Sequence, residues 1–148
     1  MDEASTRLAR RVATSLGLGA VLAAITLGSA SRVFAAGWDP AAFAKEDTLK
    51  LRTTGPEEGA YWFPVWLVVI DGQVYVRLGT RAAGRVEHNT TAPILGVEVA
   101  GQHFDRIQGV PAPDYADRVA KAMADKYTSD VFVHWFSHPL TLRLVPEQ

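Results

Sequence analysis

The clearest pattern of hydrophobic and polar positions lies in the middle of the chain. Val65 to Ile70 is apolar and rich in β-branched residues, Asp71-Gly72 is a typical type I′ turn pair, and Gln73 to Leu78 alternates. Together they predict a β-hairpin. One of its faces carries only apolar side chains, those of Val65, Leu67, Val69, Val74, Val76 and Leu78. We expect this face to form the core, since neighbouring residues of a strand point to opposite sides of a sheet.

The second face of this hairpin mixes large apolar side chains with polar ones. The turn sets the register, which places Ile70 opposite Gln73, Val68 opposite Tyr75, and Trp66 opposite Arg77. Such a mixture suits either a second packing surface or the wall of a ligand site.

The segments before this hairpin predict a short helix and a strand. Asp39 is placed as an N-cap and Pro40 as the first helical residue, and the helix is expected to end near Glu46. Thr48 to Thr54 alternates apolar and polar positions and predicts a strand, with Gly55 to Gly59 as a turn.

The segments after it predict a second hairpin, a helix and a closing strand. The hairpin covers Ile94 to Val110 with Ala100-Gly101 at its tip, which brings Glu98 opposite His103 as an expected exposed ion pair. A helix is expected from Asp114 to about Tyr127, with one apolar stripe. The last strand is Leu140 to Val145, stopped by Pro146. Five or six mostly antiparallel strands with helices at the edges predict an α+β fold, a small barrel.

The N-terminal segment has a different character. No charged residue occurs from Val12 to Ser31, arginines precede it, and small residues follow it. This order is typical of a secretory signal peptide. An uncleaved membrane anchor through residues 12–31 is the alternative, since about 20 apolar residues can span a bilayer. We therefore divide the chain into residues 1–36, a signal peptide or anchor, and residues 37–148, one domain that is exported to the periplasm or the extracellular space.

Composition and charge narrow the functions. The 148 residues contain no cysteine, which excludes a disulfide framework and a cysteine nucleophile, and the four histidines lack the spacing of a metalloprotease motif. The formal net charge is −1. Four arginines against two carboxylates make residues 1–36 positive, so the domain itself is acidic. This argues against nucleic acid and favours a small molecule or protein as partner.

The segment from Gly79 to Arg85, Gly-Thr-Arg-Ala-Ala-Gly-Arg, carries the candidate chemistry. We predict a loop here. Backbone N–H groups and arginines of such a loop can hold an anion. A solvated loop with glycines for turning is the simpler interpretation.

The order of segments resembles the flavin-binding split barrels, which include the pyridoxamine phosphate oxidases and the deazaflavin-dependent reductases. The resemblance runs from about Trp38 to Pro146, and is closest to a small uncharacterised branch of that group. Its most specific parts are Pro64-Val65-Trp66, the Asp71-Gly72 hairpin with Tyr75 and Arg77, and Leu142-Arg143-Leu144-Val145-Pro146. It implies a small antiparallel split β-barrel with peripheral helices, and a homodimer that holds FMN or a deazaflavin in a shared groove.

The resemblance also implies roles for individual residues. Phosphate or ribityl ligands would be Arg52, Thr80, Arg81 and Arg85, with Arg77 as a further cation. Neighbours of the flavin ring would be Pro64, Val65 and Trp66. No catalytic side chain and no metal ligand is implied, because the hydride chemistry of such proteins belongs to the cofactor.

Three functions are left open by the sequence. The first is a flavin- or deazaflavin-dependent oxidoreductase acting on an unknown small molecule. The second is a non-catalytic exported module that has lost the cofactor and binds an apolar ligand between aromatic side chains, those of Tyr61, Trp62, Trp66, Trp135 and Phe136. The third is a membrane-tethered structural subunit that keeps its N-terminal segment.

Overall fold

A computed structural model describes residues 37–127 and 137–148, so the predicted signal peptide or anchor lies outside the described residues. Its helices and strands, in chain order, are α1 (Pro40–Phe43), β1 (Thr48–Gly55), β2 (Gly59–Ile70), β3 (Gln73–Leu78), α2 (Thr80–Glu87), β4 (Ile94–Val99), β5 (Gln102–Pro111), a 3-10 turn (Pro113–Tyr115), α3 (Ala116–Lys126) and β6 (Leu140–Pro146). Within these ranges, every helix is too short or too polar to cross a bilayer.

The six strands form a closed antiparallel barrel. Their order around the barrel is β1, β2, β3, β6, β5 and β4, and the last of these pairs with β1. The predicted α+β class and the small antiparallel barrel with peripheral helices are confirmed. The interior is filled by apolar side chains of all six strands, together with Trp38 and Phe43 at the start of the domain.

The first hairpin follows its predicted register from Leu67 to Val76, but the predicted pair of Trp66 and Arg77 lies beyond this ladder, because Trp66 pairs with Thr48 and Arg77 with Thr141. Asp71 and Gly72 both have positive φ, 51° and 70°, as a type I′ turn requires. Ile70 lies opposite Gln73 and Val68 opposite Tyr75. The predicted core face is confirmed: four of its six side chains have no more than a trace of exposed surface and the other two pack against them, namely Leu67, Val74, Val76 and Leu78, with Val65 and Val69.

Strand β2 is longer than predicted. The sequence pattern indicated the strand only from Val65, but β2 begins at Gly59. It pairs with β1 through Trp66, and from Leu67 onward it pairs with β3. Proline is tolerated inside this strand opposite Lys50, where the ladder continues on both sides of it.

The second face of the first hairpin is a packing surface for α3. Val68 and Tyr75 are buried there against the apolar stripe of the helix, formed by Val119, Met123 and Tyr127. The Trp66 ring stacks on the Tyr127 ring with centroids 4.6 Å apart and planes 11° apart. The predicted apolar stripe is therefore confirmed. The middle of this hairpin face is a packing surface, which was one of the two interpretations.

The second hairpin has the predicted tip, and it keeps the predicted register from Val97 to the tip; a bulge between Leu95 and Val97 shifts the pairing beyond it. The predicted ion pair is not formed. Glu98 lies opposite His103. The Glu98 carboxylate instead accepts a hydrogen bond from Lys50 Nζ at 2.9 Å across the β1–β4 seam, and His103 Nε2 lies 3.0 Å from Asp105 Oδ1. The interaction with His103 lowers the pKa of Asp105. The partner of Glu98 lies on a strand far away in sequence, whereas the partner of His103 lies two residues along the same strand.

The segment predicted as a loop after the first hairpin is a helix, α2. The glycines at both ends suggested turning, yet Gly84 sits inside the helix with nothing within 4 Å of where a Cβ would be. The remaining residues are compatible with a helix, and Ala82, Ala83 and Val86 pack against the barrel core. Burial of this side of α2 outweighs the helix cost of one glycine, which is about 1 kcal/mol.

Asn89 joins the end of α2 to the barrel. This buried side chain accepts hydrogen bonds from Thr54 N at 2.9 Å and from the Thr91 hydroxyl at 2.9 Å, and donates to Ile94 O at 2.9 Å. The amide therefore satisfies backbone groups of β1 and β4 that would otherwise be left unpaired. These bonds fix where α2 ends relative to the barrel.

Tyr127 joins the end of α3 to β2 at the residue where β2 changes partner. Its hydroxyl lies 2.7 Å from Leu67 O and 2.6 Å from Asp47 O, and accepts from Leu67 N at 3.3 Å. Lys126 Nζ also donates to Leu67 O, at 3.2 Å, and to Glu46 O. Burial raises the pKa of Tyr127 to about 12.

Closure of the barrel at the β1–β4 seam depends on a glycine. A Cβ on Gly96 would lie 2.9 Å from Arg52 Cβ, closer than real Cβ atoms approach. We expect Gly96→Ala to lower the free energy of unfolding by about 1–3 kcal/mol, because the seam must move apart. Gly84→Ala is the matched control and should raise it by about 0.5–1 kcal/mol. Urea unfolding of both variants measures this, and equal effects would contradict a steric role for the seam.

Removal of the Tyr127 hydroxyl should destabilise the domain in a pH-dependent way. At neutral pH we expect Tyr127→Phe to lower the free energy of unfolding by about 1–3 kcal/mol, because the carbonyl groups of Leu67 and Asp47 each lose a hydrogen bond. The folded pKa lies above the unfolded one, so the contribution is full below about pH 10 and is lost as pH rises toward 12. The difference in the free energy of unfolding between Tyr127→Phe and the unchanged protein should therefore narrow over that pH range, as measured by denaturant unfolding. Tyr61→Phe, at an exposed ring, is the matched control and should leave the free energy of unfolding unchanged at neutral pH.

Candidate functional site

A surface cavity of about 500 Å³ lies at the start of α2. It is bounded by α2 on one side and the first half of β2 on the other. Its lining residues are Tyr61, Phe63, Pro64, Gly79, Thr80, Arg81, Ala82, Arg85 and Ser137. We call it the α2 cavity.

The α2 cavity contains the free end of a helix. Gly79 is the N-cap, with φ −69° and ψ 168°, and the first helical hydrogen bond runs from Ala83 N to Gly79 O at 2.9 Å. The N–H groups of Thr80, Arg81 and Ala82 consequently have no acceptor within the helix. The dipole of the helix adds partial positive charge at this end, and the combination favours an anion.

Arg81 places a full positive charge at the same position. It lines the α2 cavity and also an adjoining cavity of about 470 Å³. Its side chain is exposed, and it takes part in none of the ion pairs or side-chain hydrogen bonds formed among the described residues. The guanidinium is therefore available to a ligand.

Arg85 is held by protein partners. Its Nη1 donates to both carboxylate oxygens of Glu58, at 2.7 and 2.6 Å, and its Cζ lies 3.8 Å from the centroid of the Tyr61 ring. Hydrogen bonding to Glu58 raises the pKa of Arg85. The guanidinium is thus fixed between an acid and an aromatic face, at the border of the two cavities.

The wall opposite α2 is apolar. Phe63 and Tyr61 lie on the same face of β2 with ring centroids 6.3 Å apart and planes 25° apart, and Pro64 follows them. Pro64 presents no N–H to the cavity, so this part of the strand offers carbon atoms rather than donors. A cavity with one cationic side and one apolar side suits a molecule with an anionic group and a flat or apolar body.

The structure brings together four of the eight residues predicted for the cofactor. The α2 cavity contains Pro64, Thr80, Arg81 and Arg85. Neither cavity is lined by the other four, Arg52, Val65, Trp66 and Arg77.

The other four predicted residues have different surroundings. Arg52 lies on the outer face of β1, with Nη2 3.0 Å from Asp105 Oδ1. Val65 packs against the core, and Trp66 packs under α3. Arg77 has a buried Nη1 without a hydrogen-bond partner among the described residues.

Sequence reasoning missed Glu58 and Phe63 as parts of the site, and it placed Tyr61 only in the aromatic site of the non-catalytic module. Glu58 was assigned to a connecting turn, and its role depends on Gly55 and Gly59 pairing at the end of the β1–β2 ladder beside α2. The one sequence signal that could have extended the strand to Tyr61 and Phe63 was the alternation of side chains on the N-terminal side of Pro64. The aromatic cleft predicted for an apolar ligand is only partly described: Trp62 tilts against His103 at 5.1 Å between ring centroids, and Trp135 and Phe136 lie outside the described residues.

No three His, Asp or Glu side chains of the described ranges approach closely enough to hold a metal ion. The arrangement at the α2 cavity is one of anion binding by N–H donors and guanidinium groups, beside an apolar wall.

Comparison with known proteins shows likeness at the level of the fold. No family model and no curated protein matches this chain. The crystal structure of HutZ, described as the heme storage protein from Vibrio cholerae, is similar with a TM-score of 0.53 and 19% identity, over 73% of this chain and 87% of that chain. A structure described as a domain-swapped dimer is similar with a TM-score of 0.51 and 12% identity, over 68% of this chain and 80% of that chain. Both are consistent with the split-barrel group.

Release of Arg85 should strengthen anion binding. Glu58→Gln removes the carboxylate that holds the Arg85 guanidinium, and an exposed pair of this kind is worth up to about 1 kcal/mol. We therefore expect the affinity for pyrophosphate, measured by isothermal titration calorimetry, to rise by up to about fivefold.

Glu57→Gln is the matched control for this change. Glu57 lines the adjoining cavity and carries the same charge, but it takes part in no ion pair among the described residues. Equal gains from both variants would show an effect of net charge alone, and no local competition by Glu58.

Proposed function

We propose that the barrel binds a small molecule bearing a phosphate group, FMN or a deazaflavin, in the α2 cavity, and that it acts as an oxidoreductase on a small molecule. The observation that carries the proposal is the Arg81 guanidinium, which has no partner among the described residues and lies at a helix start whose N–H groups have no helical acceptor. A phosphate takes both kinds of donor.

The residues present fit the phosphate end of such a cofactor. Thr80 adds a hydroxyl at the first position of α2, and Arg85 adds a second cation once Glu58 is displaced. The volume of about 500 Å³ lies within the range of about 300–1,000 Å³ that is usual for small-molecule sites. The Phe63–Pro64 side of the cavity offers an apolar surface for the ring of the ligand.

The protein's part in the reaction is orientation. A flavin or deazaflavin, when bound, supplies the hydride chemistry. Arg81 and the start of α2 hold the anionic end, and the apolar wall keeps water from one side of the ring. No acid or base of the protein has a necessary place in such a reaction, because the hydride transfer belongs to the cofactor.

The solved structures support the coarser part of the proposal. Split-barrel neighbours, one described as a heme storage protein, favour binding of a small ligand by this fold. The neighbour described as a domain-swapped dimer supports a homodimer, which sedimentation of the domain tests. Export, or anchoring through residues 12–31, rests on the sequence alone, and mass spectrometry of the protein from its source distinguishes the two.

Heme is the second candidate. HutZ is described as storing it. In this chain the half-exposed imidazole of His103 is oriented by the Asp105 carboxylate at 3.0 Å, and a carboxylate partner of this kind is usual for a histidine that binds a metal. Its place is the outer face of the second hairpin, away from the residues of the α2 cavity.

The test compares FMN with riboflavin, which has the same ring and no phosphate. Arg81→Ala should weaken FMN binding by about 10- to 100-fold, because a charge-assisted hydrogen bond is worth about 1.5–3 kcal/mol, and should leave riboflavin binding unchanged. Quenching of ligand fluorescence measures both. Arg118→Ala removes an exposed arginine that does not line the cavity and serves as the matched control.

Separate titrations with a deazaflavin cofactor and with hemin extend the test. Equal loss of FMN and riboflavin affinity in Arg81→Ala would contradict a phosphate site at α2. Absence of saturable binding by FMN and by the deazaflavin would end the proposal, and a hemin complex in that case would favour the second candidate.

A further inference from the structure

A second cavity of about 460 Å³ lies on the outer side of the β3–β6 ladder and shares no lining residue with the α2 cavity. We call it the β6 cavity. It is built mainly by Gln73 and Tyr75 of β3, Arg143, Val145 and Pro146 of β6, and Tyr115 at the end of the 3-10 turn. The function proposed above makes no use of it.

Arg143 is placed in the middle of the sheet. It lies opposite Tyr75 on β3 and opposite Val110 on β5, so its strand is paired on both sides. Its neighbours Leu142 and Leu144 are buried in the core, and alternation along the strand puts Arg143 on the outer face. An arginine at the centre of a sheet, rather than at its rim, is held in place by the backbone ladders around it.

The positive charge of Arg143 is not balanced by the described part of the chain. None of the ion pairs among the described residues includes it. Its Nε is closed off from solvent and has no hydrogen-bond partner there. Buried polar atoms without a partner are rare in native proteins, and one common reason is a missing ligand or ion.

The Asp side chain that lines the β6 cavity is already engaged. Asp71, at the tip of the first hairpin, also lines the cavity, but its Oδ2 accepts a hydrogen bond from Arg118 Nη2 at 3.0 Å. Arg118 is held in addition by the Tyr115 ring, with Cζ 5.0 Å from the ring centroid. Asp71 is thus paired with an arginine of α3, and it does not neutralise the positive charge of Arg143.

Two stacked tyrosines form a neutral wall beside Arg143. The rings of Tyr75 and Tyr115 have centroids 5.1 Å apart and planes 14° apart. Burial raises the pKa of Tyr75, and Tyr115 raises it further, while Arg143 acts in the opposite direction. The amide of Gln73, which also lines the cavity, can donate hydrogen bonds to an anion, whereas the Tyr75 phenol already interacts with Tyr115 and Arg143.

We propose that the β6 cavity binds a small organic monocarboxylate with an apolar body. One guanidinium fork beside neutral donors matches a carboxylate, whereas a phosphate dianion generally meets several cations or a helix start, as at the α2 cavity. Val145, Pro146 and Pro40 offer the apolar part of the wall. The site is independent of the α2 cavity and stands whether or not a flavin binds there.

The experiment uses three probes: benzoate, its neutral isostere benzamide, and inorganic phosphate. Titration of the whole protein, followed by the ¹⁵Nε–Hε resonance of Arg143 and by calorimetry, should show saturable binding of benzoate that shifts this resonance. Benzamide and phosphate should each bind at least about tenfold more weakly, because the charge-assisted bonds to a carboxylate are lost or mismatched.

Variants locate the binding. Arg143→Gln should lower benzoate affinity by about tenfold or more, and Arg143→Lys, which keeps the charge but not the fork, should lower it less. Lys50→Gln, which removes one surface cation from the distant β1–β4 seam, should leave it unchanged. Thermal melts of all three variants check that they fold.

Several outcomes would overturn the proposal. Benzamide binding as tightly as benzoate would exclude the carboxylate, and phosphate binding more tightly would replace the ligand class. Non-saturable shifts would indicate adventitious contact only. These three readings come from the unchanged protein, so they decide the matter even where Arg143→Gln fails to fold.

Discussion

Everything in this domain depends on closure of one antiparallel sheet into a barrel. Closure requires β1 to pair on both sides, and its ladder with β4 consists of three residue pairs, Lys50 with Glu98, Leu51 with Val97, and Arg52 with Gly96. The close approach at Gly96 and the apolar interior hold this short seam together. With the seam closed, the end of β1, the first half of β2 and the start of α2 meet at one place. An open sheet would separate the two walls of the α2 cavity.

The environment of each guanidinium decides what the surface can bind. Asp105 holds Arg52, Glu58 holds Arg85, and Asp71 holds Arg118. Arg81 and Arg143 have no such partner among the described residues, and each lines a cavity. Because an exposed ion pair contributes at most about 1 kcal/mol, a phosphate or carboxylate can compete with it, whereas an unpaired guanidinium needs no competition at all. The two proposed sites on this acidic domain therefore differ in the anion that they would bind, a phosphate in the α2 cavity and a carboxylate in the β6 cavity.

Local signals were enough for most of the fold. The Asp71-Gly72 and Ala100-Gly101 tips set the register of both hairpins next to the turn, because a two-residue turn and alternation leave one solution there. The bulge between Leu95 and Val97 in the second hairpin has no such local signal. Helix α2 was missed because its glycines suggested turns, and its stability comes from burying one side on a barrel that the local sequence does not show. The same limit applies to the site. Arg81 could be predicted from residue type, but the partners of Arg52 and Glu98 depend on contacts between strands far apart in sequence.

The hydrogen bonds of Asn89 have a consequence for covalent modification. Asn89-Thr90-Thr91 has the form of an N-glycosylation acceptor. The nitrogen that would carry the sugar donates to Ile94 O at 2.9 Å, and the side chain is buried between β1 and β4. An oligosaccharide at this position would have to fit where the barrel has no room for it. The folded domain therefore makes this acceptor inaccessible. In a glycosylating host, sugar could be attached to Asn89 only before the domain folds, and a glycosylated Asn89 could not form its hydrogen bond in the barrel.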